Sequence, residues 1–221
     1  MAKKYDSQAT INEILFNAAN LFLEKGFANT SMNDIAKAAG ISKGAIYHHF
    51  KSKEEIINAV TDKQAAAVQE IMESWLSEAD AFNGKEKLQF ILEKNIDSQE
   101  AHSLDDVMSV RMKSAEFVLS YMQDSVQNGA PFIAEIIKLG IDDGSLTTDF
   151  PDECAEVFLL LLNIWCDPAV FSGTIEKIDS RLRFLQKMMK SLGVDVLSDA
   201  LVKKTSDLLQ KLYFEGEQTS E

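Results

Sequence analysis

Apolar residues in this chain recur three and four positions apart rather than at every second position, so the pattern predicts helices throughout and no strand. A first helix is expected over 8–25, with Ile11, Leu15, Ala18 and Phe22 facing inward. Two short helices follow within 31–50, then a long one over 53–79 carrying Ile57, Val60, Val68, Ile71 and Trp75 on one side. Asn83 and Gly84 interrupt the chain before a fifth helix over 85–99, and 104–128 accommodates one or two more. Pro131 suits the opening of a helix that ends near Asp142, Asp143 and Gly144, and Pro151 opens the next. Helices over 174–192 and 199–214 complete the pattern, the last packing through Leu201, Leu208 and Leu212, with 215–221 left as a frayed tail. The fold class is therefore all-α.

The segment 31–50 carries the most chemistry. Ser31 with Asp34 three positions on marks a helix start: the serine oxygen accepts an orphan amide and the carboxylate sits at the positive end of the helix. Ile35, Ala38 and Ala39 share the expected buried side of this helix, and the small Ala36 and Ala39 let a neighbour approach. Gly40 ends it in a backbone conformation that glycine adopts without strain. Ser42 caps a second short helix beginning at Lys43, whose Gly44 and Ala45 leave its start bare of bulk. Ile46 and Phe50 form its inner side, while Lys43, Tyr47 and His48 face out with groups suited to phosphates and base edges. Such a pair is a helix-turn-helix, the second member being the DNA-recognition helix. Ser52 and Glu55 form a further capping pair, placing amides beside Lys51 and Lys53 at the start of the long helix.

A formal net charge of −13 is unexpected for a DNA-binding chain until it is divided by position. The first 63 residues hold eight lysines against seven carboxylates, and 35–53 holds four lysines (Lys37, Lys43, Lys51, Lys53) and no acid. The local field thus attracts a duplex to this segment, and the acidic remainder repels phosphate from the other faces.

These residues resemble the DNA-binding domain of the TetR family of bacterial transcriptional regulators. The likeness runs from about Ile11 to Val60 and rests on Ala18, Ala19, Phe22 and Lys25-Gly26-Phe27, on Thr30-Ser31, Asp34-Ile35-Ala36 and Ala39-Gly40-Ile41-Ser42-Lys43-Gly44, and on Tyr47 through Glu54. The resemblance implies a DNA-binding domain over 1–52 and a larger helical ligand-binding and dimerisation domain over 53–221. It also implies a homodimer with recognition helices in successive major grooves of a double-stranded operator, and a small-molecule inducer. Candidate DNA contacts are Thr30, Ser31, Ser42, Lys43, Gly44, Ala45, Tyr47, His48, His49, Lys51 and Lys53. The carboxyl-terminal three quarters carry no motif of comparable specificity.

Between 157 and 165 eight of nine residues are apolar, so that helix is expected to be covered on both sides. A second copy of the chain and the centre of a monomeric bundle both satisfy this. With the following helix, whose rows are Ile178, Leu182, Leu185, Met189, Leu192 and Phe184, Met188, it suggests a four-helix dimer interface built on Phe158, Leu161, Leu162, Trp165, Leu182, Leu185 and Met189. Large, adaptable side chains (Trp75, Phe90, Met108, Met112, Phe117, Tyr121, Met122, Trp165) are the candidate lining of a ligand pocket, and core filling accounts for such residues equally well. His102, Arg111 and Asn163 are the polar groups to watch near them.

No run approaches the roughly 18 apolar residues that cross a bilayer, and the first six residues lack the apolar core of a secretory signal, so a cytoplasmic protein is expected. Cys154 and Cys166, twelve apart on one helix, would be separated by roughly 18 Å and are expected as buried free thiols. The three histidines form no metal-binding spacing and no nucleophile–base signature or phosphate loop is present, so neither an enzyme nor a cofactor or metal is indicated. The Asp105-Asp106 and Asp142-Asp143 pairs suit helix caps better than metal ligation. The expected function is a ligand-responsive repressor that leaves a palindromic operator when a small apolar molecule binds. The alternative is a helical adaptor or non-specific DNA-binding protein with no ligand switch.

Overall fold

In the computed structural model residues 7–214 are described, with the backbone alone for Asp106; the expected frayed tail, 215–221, lies outside them. Helices account for all regular structure among these residues: α1 (Ser7–Lys25), α2 (Met32–Ala38), α3 (Lys43–His49), α4 (Lys53–Glu78), α5 (Gly84–Asp97), α6 (Asp105–Arg111), α7 (Ala115–Asp124), α8 (Ala130–Asp142), α9 (Pro151–Leu160), α10 (Ile175–Ser191) and α11 (Asp199–Tyr213). Single π-helical turns lie at Ser125–Gly129, between α7 and α8, and at Leu161–Trp165, after α9. The chain divides into two units, Met1–Glu70 and Ile71–Glu221, with the division inside α4.

In the first unit α1 buries Thr10, Ile14, Leu15, Ala18 and Phe22. Ile14 thus takes the inner position expected for Ile11, which is half-buried. On α2 Ile35 and Ala36 are interior, Ala39 is half-buried and Ala38 is exposed, so Ala36 takes the buried place expected for Ala38. Ile46 of α3 and Ile56, Ile57 and Val60 of α4 close this small core. Gly26 and Gly40 take positive φ of 76° and 66°, the left-handed turns that end α1 and α2 without steric penalty.

The second unit is organised around α8, which buries Ala130, Ile133, Ala134, Ile136, Ile137 and Gly140. Against it pack Leu88 and Ile91 of α5, Cys154, Ala155 and Phe158 of α9, Leu185 and Met189 of α10, and Trp75 from the end of α4. A second cluster joins Cys166 to Ile178 and Leu182 of α10 and Val202 of α11. Cys154 and Cys166 are both buried and unpaired.

Two expectations change here. Pro131 does lie in the first turn of α8, but α7 runs into α8 through the π turn, because a proline lacks the N–H that would reach back to Gln127 and crowds that carbonyl, and the wider turn accommodates both effects. The 157–165 segment is not covered all round by its own chain: Phe158 and Ile164 are buried, Val157 is exposed, and Leu160, Leu161, Leu162 and Trp165 are half-buried. On α10 the row Ile178, Leu182, Leu185, Met189 faces the chain's own core, while Phe184 is 56% exposed. Among the described residues no helix is long and apolar enough to cross a membrane.

Candidate nucleic-acid interface

Local capping builds the interface. Ser31 accepts the Asp34 N–H at 3.2 Å while the Asp34 carboxylate accepts the Ser31 N–H at 2.9 Å, a reciprocal box that starts α2. The Ser31 hydroxyl also donates to that carboxylate at 2.6 Å, and this bond chiefly holds the Asp34 pKa below its usual value. Ser42 accepts the Ala45 N–H at 3.1 Å and so starts α3. Fully buried Ile46 anchors α3 on its inner side, and Phe50 ends it.

The opposite side of α3 is open. Lys43, Gly44, Tyr47 and His48 are exposed, Ala45 and His49 are half-buried, and the two imidazole rings meet edge to face at 5.3 Å. At Gly44 an added methyl would find nothing closer than the Ser42 hydroxyl at 3.9 Å, so the start of the helix is bare. Ser31, Ser42 and Lys51 are also exposed. At the start of α4 Ser52 accepts the Glu55 N–H at 3.2 Å, but the Glu55 carboxylate takes the Lys51 N–H at 2.6 Å, one residue before the expected partner.

Two candidates sit differently from the rest. Thr30 is interior, 2% exposed, and its hydroxyl is directed at the carbonyls of Gly26 (2.9 Å) and Leu21 (3.2 Å), so it shapes the turn before α2 instead of facing outward. Half-buried Lys53 donates to the Phe27 carbonyl at 2.5 Å and lies 4.2 Å over the Phe27 ring. Neither placement is visible in helical periodicity, because it depends on how the Gly26–Phe27 turn folds back beside the end of α1.

Among the described residues the ligand-pocket candidates take part in several different contacts. Trp75 and Phe90 belong to the main core. Phe117 and Tyr121 stack at 6.0 Å, with the Arg111 guanidinium 3.8 Å over Phe117. Met108 is half-buried on α6, Met112 just after that helix is buried, and Trp165 meets Phe184 at 5.8 Å. Met122 alone of the eight lines the apolar groove of about 260 Å³ formed with Leu119, Gln123, Val126, Gln127 and Leu160. Of the interface candidates, Phe158, Leu182, Leu185 and Met189 are buried inside their own chain, and Leu161, Leu162 and Trp165 are half-buried.

The structure also reveals a polar group that periodicity does not single out. Tyr213 donates to the half-buried Asp167 at 3.1 Å, and burial raises the pKa of Asp167. Burial, then the charge of Asp167, pushes Tyr121 up to about 12. His102 Nδ1 lies 2.8 Å from Asp105, and that bond raises the imidazole pKa against an opposing effect of burial. Asn163 is half-buried.

Residues 14–60 match the family model described as bacterial regulatory proteins, tetR family. The chain is 30% identical over 154 residues to the transcriptional repressor KstR2 of Rhodococcus jostii, covering 66% of this chain and 72% of that one. It is 41% identical over 59 residues to the transcriptional regulator TtgR of Pseudomonas putida, covering 27% and 28%. Among solved structures, a transcriptional regulator from Cytophaga hutchinsonii superimposes with a TM-score of 0.60 at 19% identity, covering 92% of this chain and 94% of that one. SmeT, the repressor of a Stenotrophomonas maltophilia multidrug efflux pump, does so with 0.56 at 19%, covering 88% and 93%. With the outward-facing α3 and its serine caps, this extended likeness to a curated repressor leads to one conclusion: the chain belongs to the TetR family of transcriptional regulators.

Proposed function

We propose that this regulator is a cytoplasmic repressor that binds a palindromic operator as a homodimer, is released by a small apolar molecule, and acts by binding rather than catalysis. The observation that carries the DNA-reading part is α3 itself: Ile46 is buried behind it while Lys43, Tyr47 and His48 are exposed in front, around a bare Gly44. A helix held in this way has groups for phosphates and base edges and a start without bulk. The names of KstR2 and SmeT support repression.

Dimerisation is supported by the outer side of α9 and α10. Phe184, Met188 and Leu192 form a stripe at four-residue spacing, two of them exposed, and Val157 and Leu160 of α9 with Leu161 of the π turn add apolar area. A second copy would cover these residues with their own equivalents. Continuous α4, which begins in the first unit and ends in the second, is the proposed link. A ligand that favours one position of α4 alters the spacing of the paired recognition helices, which must match half-sites about 34 Å apart.

The test is selection of duplexes from a random library by the full-length chain, followed by titration at several salt concentrations. A repressor enriches a two-fold symmetric sequence and prefers it by about a thousandfold or more over a scrambled duplex. Lys43→Ala should weaken binding and lower the salt slope by about 0.9 for each phosphate that the ammonium neutralises. Enrichment of no sequence would support the non-specific alternative and remove the proposal, as would full affinity across a broad set of apolar ligands for its induction step.

A further inference from the structure

We infer that Lys53 is a positioning residue of the DNA-reading unit and not a phosphate ligand: its ammonium clamps the turn between α1 and α2 onto the first turn of α4. Lys53 is one of four lysines in an acid-free stretch, and its neighbours Lys43 and Lys51 are exposed. It is half-buried, 2.5 Å from the Phe27 carbonyl and 4.2 Å over the Phe27 ring. One of its three N–H donors is committed to that carbonyl and the ammonium lies over the ring, so the side chain is held against the turn by a charge-assisted hydrogen bond and a cation–π interaction together.

What the clamp holds is the chain leading to Ser31. The Phe27 ring packs 5.3 Å from Phe22 in the core of α1. The Phe27 carbonyl also accepts the Thr30 N–H at 3.3 Å, and the Thr30 hydroxyl is directed at Gly26 and Leu21. Gly26 turns the backbone through positive φ to make this corner possible. The corner is therefore fixed by Thr30 from within and by Lys53 from α4, and it delivers Ser31, the cap that starts α2. α2 in turn packs on α3. Lys53 thus acts on DNA through the orientation of the two short helices.

The inference rests on reading the first unit as operator-binding, and the two fail differently: if that reading is wrong, the wild-type chain enriches no sequence. The experiment uses the full-length chain, the duplex it enriches, and a scrambled duplex of equal length, each titrated over a range of NaCl. Lys53→Met, which keeps most of the stem and removes the charge, should weaken the enriched duplex about tenfold, leave the salt slope unchanged, and leave the scrambled duplex unaffected. Lys53→Arg should restore affinity, since a guanidinium both donates and stacks. Phe27→Leu should show part of the same loss, and Phe27→Leu with Lys53→Met should lose less than the sum of the two. A slope lowered by about 0.9 per lysine with equal weakening of both duplexes, additive losses, or wild-type affinity in Lys53→Met would each overturn the proposal. A second measurement needs no substitution: the Phe27 ring current on the Lys53 ε-methylene protons should persist in the duplex complex, and its disappearance there would also overturn it.

Discussion

Gly84 and Gly140 meet with no side chain between them. A methyl built on Gly84 would lie 2.1 Å from the Gly140 nitrogen, and one on Gly140 would lie 2.6 Å from a Leu146 methyl. At the same point the first amides of α5 are satisfied from the loop after α8: Asp143 accepts the Gly84 N–H at 2.7 Å and Ser145 accepts the Lys85 N–H at 3.1 Å. The Asn83–Glu86 capping box completes that helix start. Gly84→Ala must push two backbones apart and should destabilise the chain by about 3 kcal/mol or more in urea unfolding. An unchanged unfolding midpoint would show that the crossing is looser than this.

Gly44 offers the opposite case. Its surroundings are open and it lies within α3, so Gly44→Ala should stabilise the first unit by about 0.4–1 kcal/mol. The same methyl would occupy space that a duplex needs at the bare start of the helix, so operator affinity should fall as thermal stability rises. Equal or better affinity in the variant would show that DNA does not approach the backbone there.

Neighbouring residues on α10 should separate association from folding. Phe184→Asp alters an exposed ring and should shift sedimentation toward the monomer while leaving helical content intact. Leu185→Ala empties a fully buried site and should cost about 2–5 kcal/mol of stability. Retention of the dimer by Phe184→Asp would require a different pairing surface.

The His102–Asp105 pair gives stability a pH dependence of known sign. Asp105 raises the imidazole pKa above its ordinary value of about 6.5, so its contribution is complete below that pH and fades as pH rises through the folded-state value. The stability deficit of His102→Asn should therefore be largest near pH ~5.5 and shrink toward pH ~8. In Asp105→Asn, the imidazole titration followed by NMR should move to lower pH. A deficit that grows with pH would contradict the assignment.

Burial, reinforced by nearby Asp167 and opposed by Arg181, pushes the Cys166 thiol up to about 12. Because the thiolate is the reactive form, Cys166 should resist a disulfide reagent at pH ~8 in the folded chain. Cys154 should resist it as well, being buried. Both thiols should react on unfolding, so rapid labelling of the native protein would argue against the packing around α9 and the turn that follows it.

Short-range chemistry is legible in the sequence where its consequences stay local. The box at Ser31–Asp34 and the cap at Ser42 stand where the serines and the following carboxylate predict, and Gly40 ends α2 in the left-handed conformation. Lys53 and Thr30 escape such a reading because residue type suggests solvent or phosphate, whereas their partners lie in the turn after α1 and on the last part of that helix, whose approach periodicity cannot locate. The outward and inward rows of α10 are both visible, but only packing against α8 and α9 decides which is which. After α9 the repeat of burial itself slips: Cys154, Ala155 and Phe158 follow an α-helical rhythm, then Ile164 and Cys166 replace the expected Leu161 and Trp165. A π turn intervenes, and a strict 3.6-residue count cannot follow it.

Each π turn follows directly on an α-helix and stores a spare residue there. The two differ in whether that residue can be surrendered. Before α8 the wide turn is held open by Pro131, whose ring would collide with an ordinary α-helical carbonyl if the chain were shortened there. After α9 the nearest proline, Pro168, lies three residues beyond the turn and none stands where Pro131 does, so Leu161–Trp165 is where loss of one residue can close the helix without a ring opposing it.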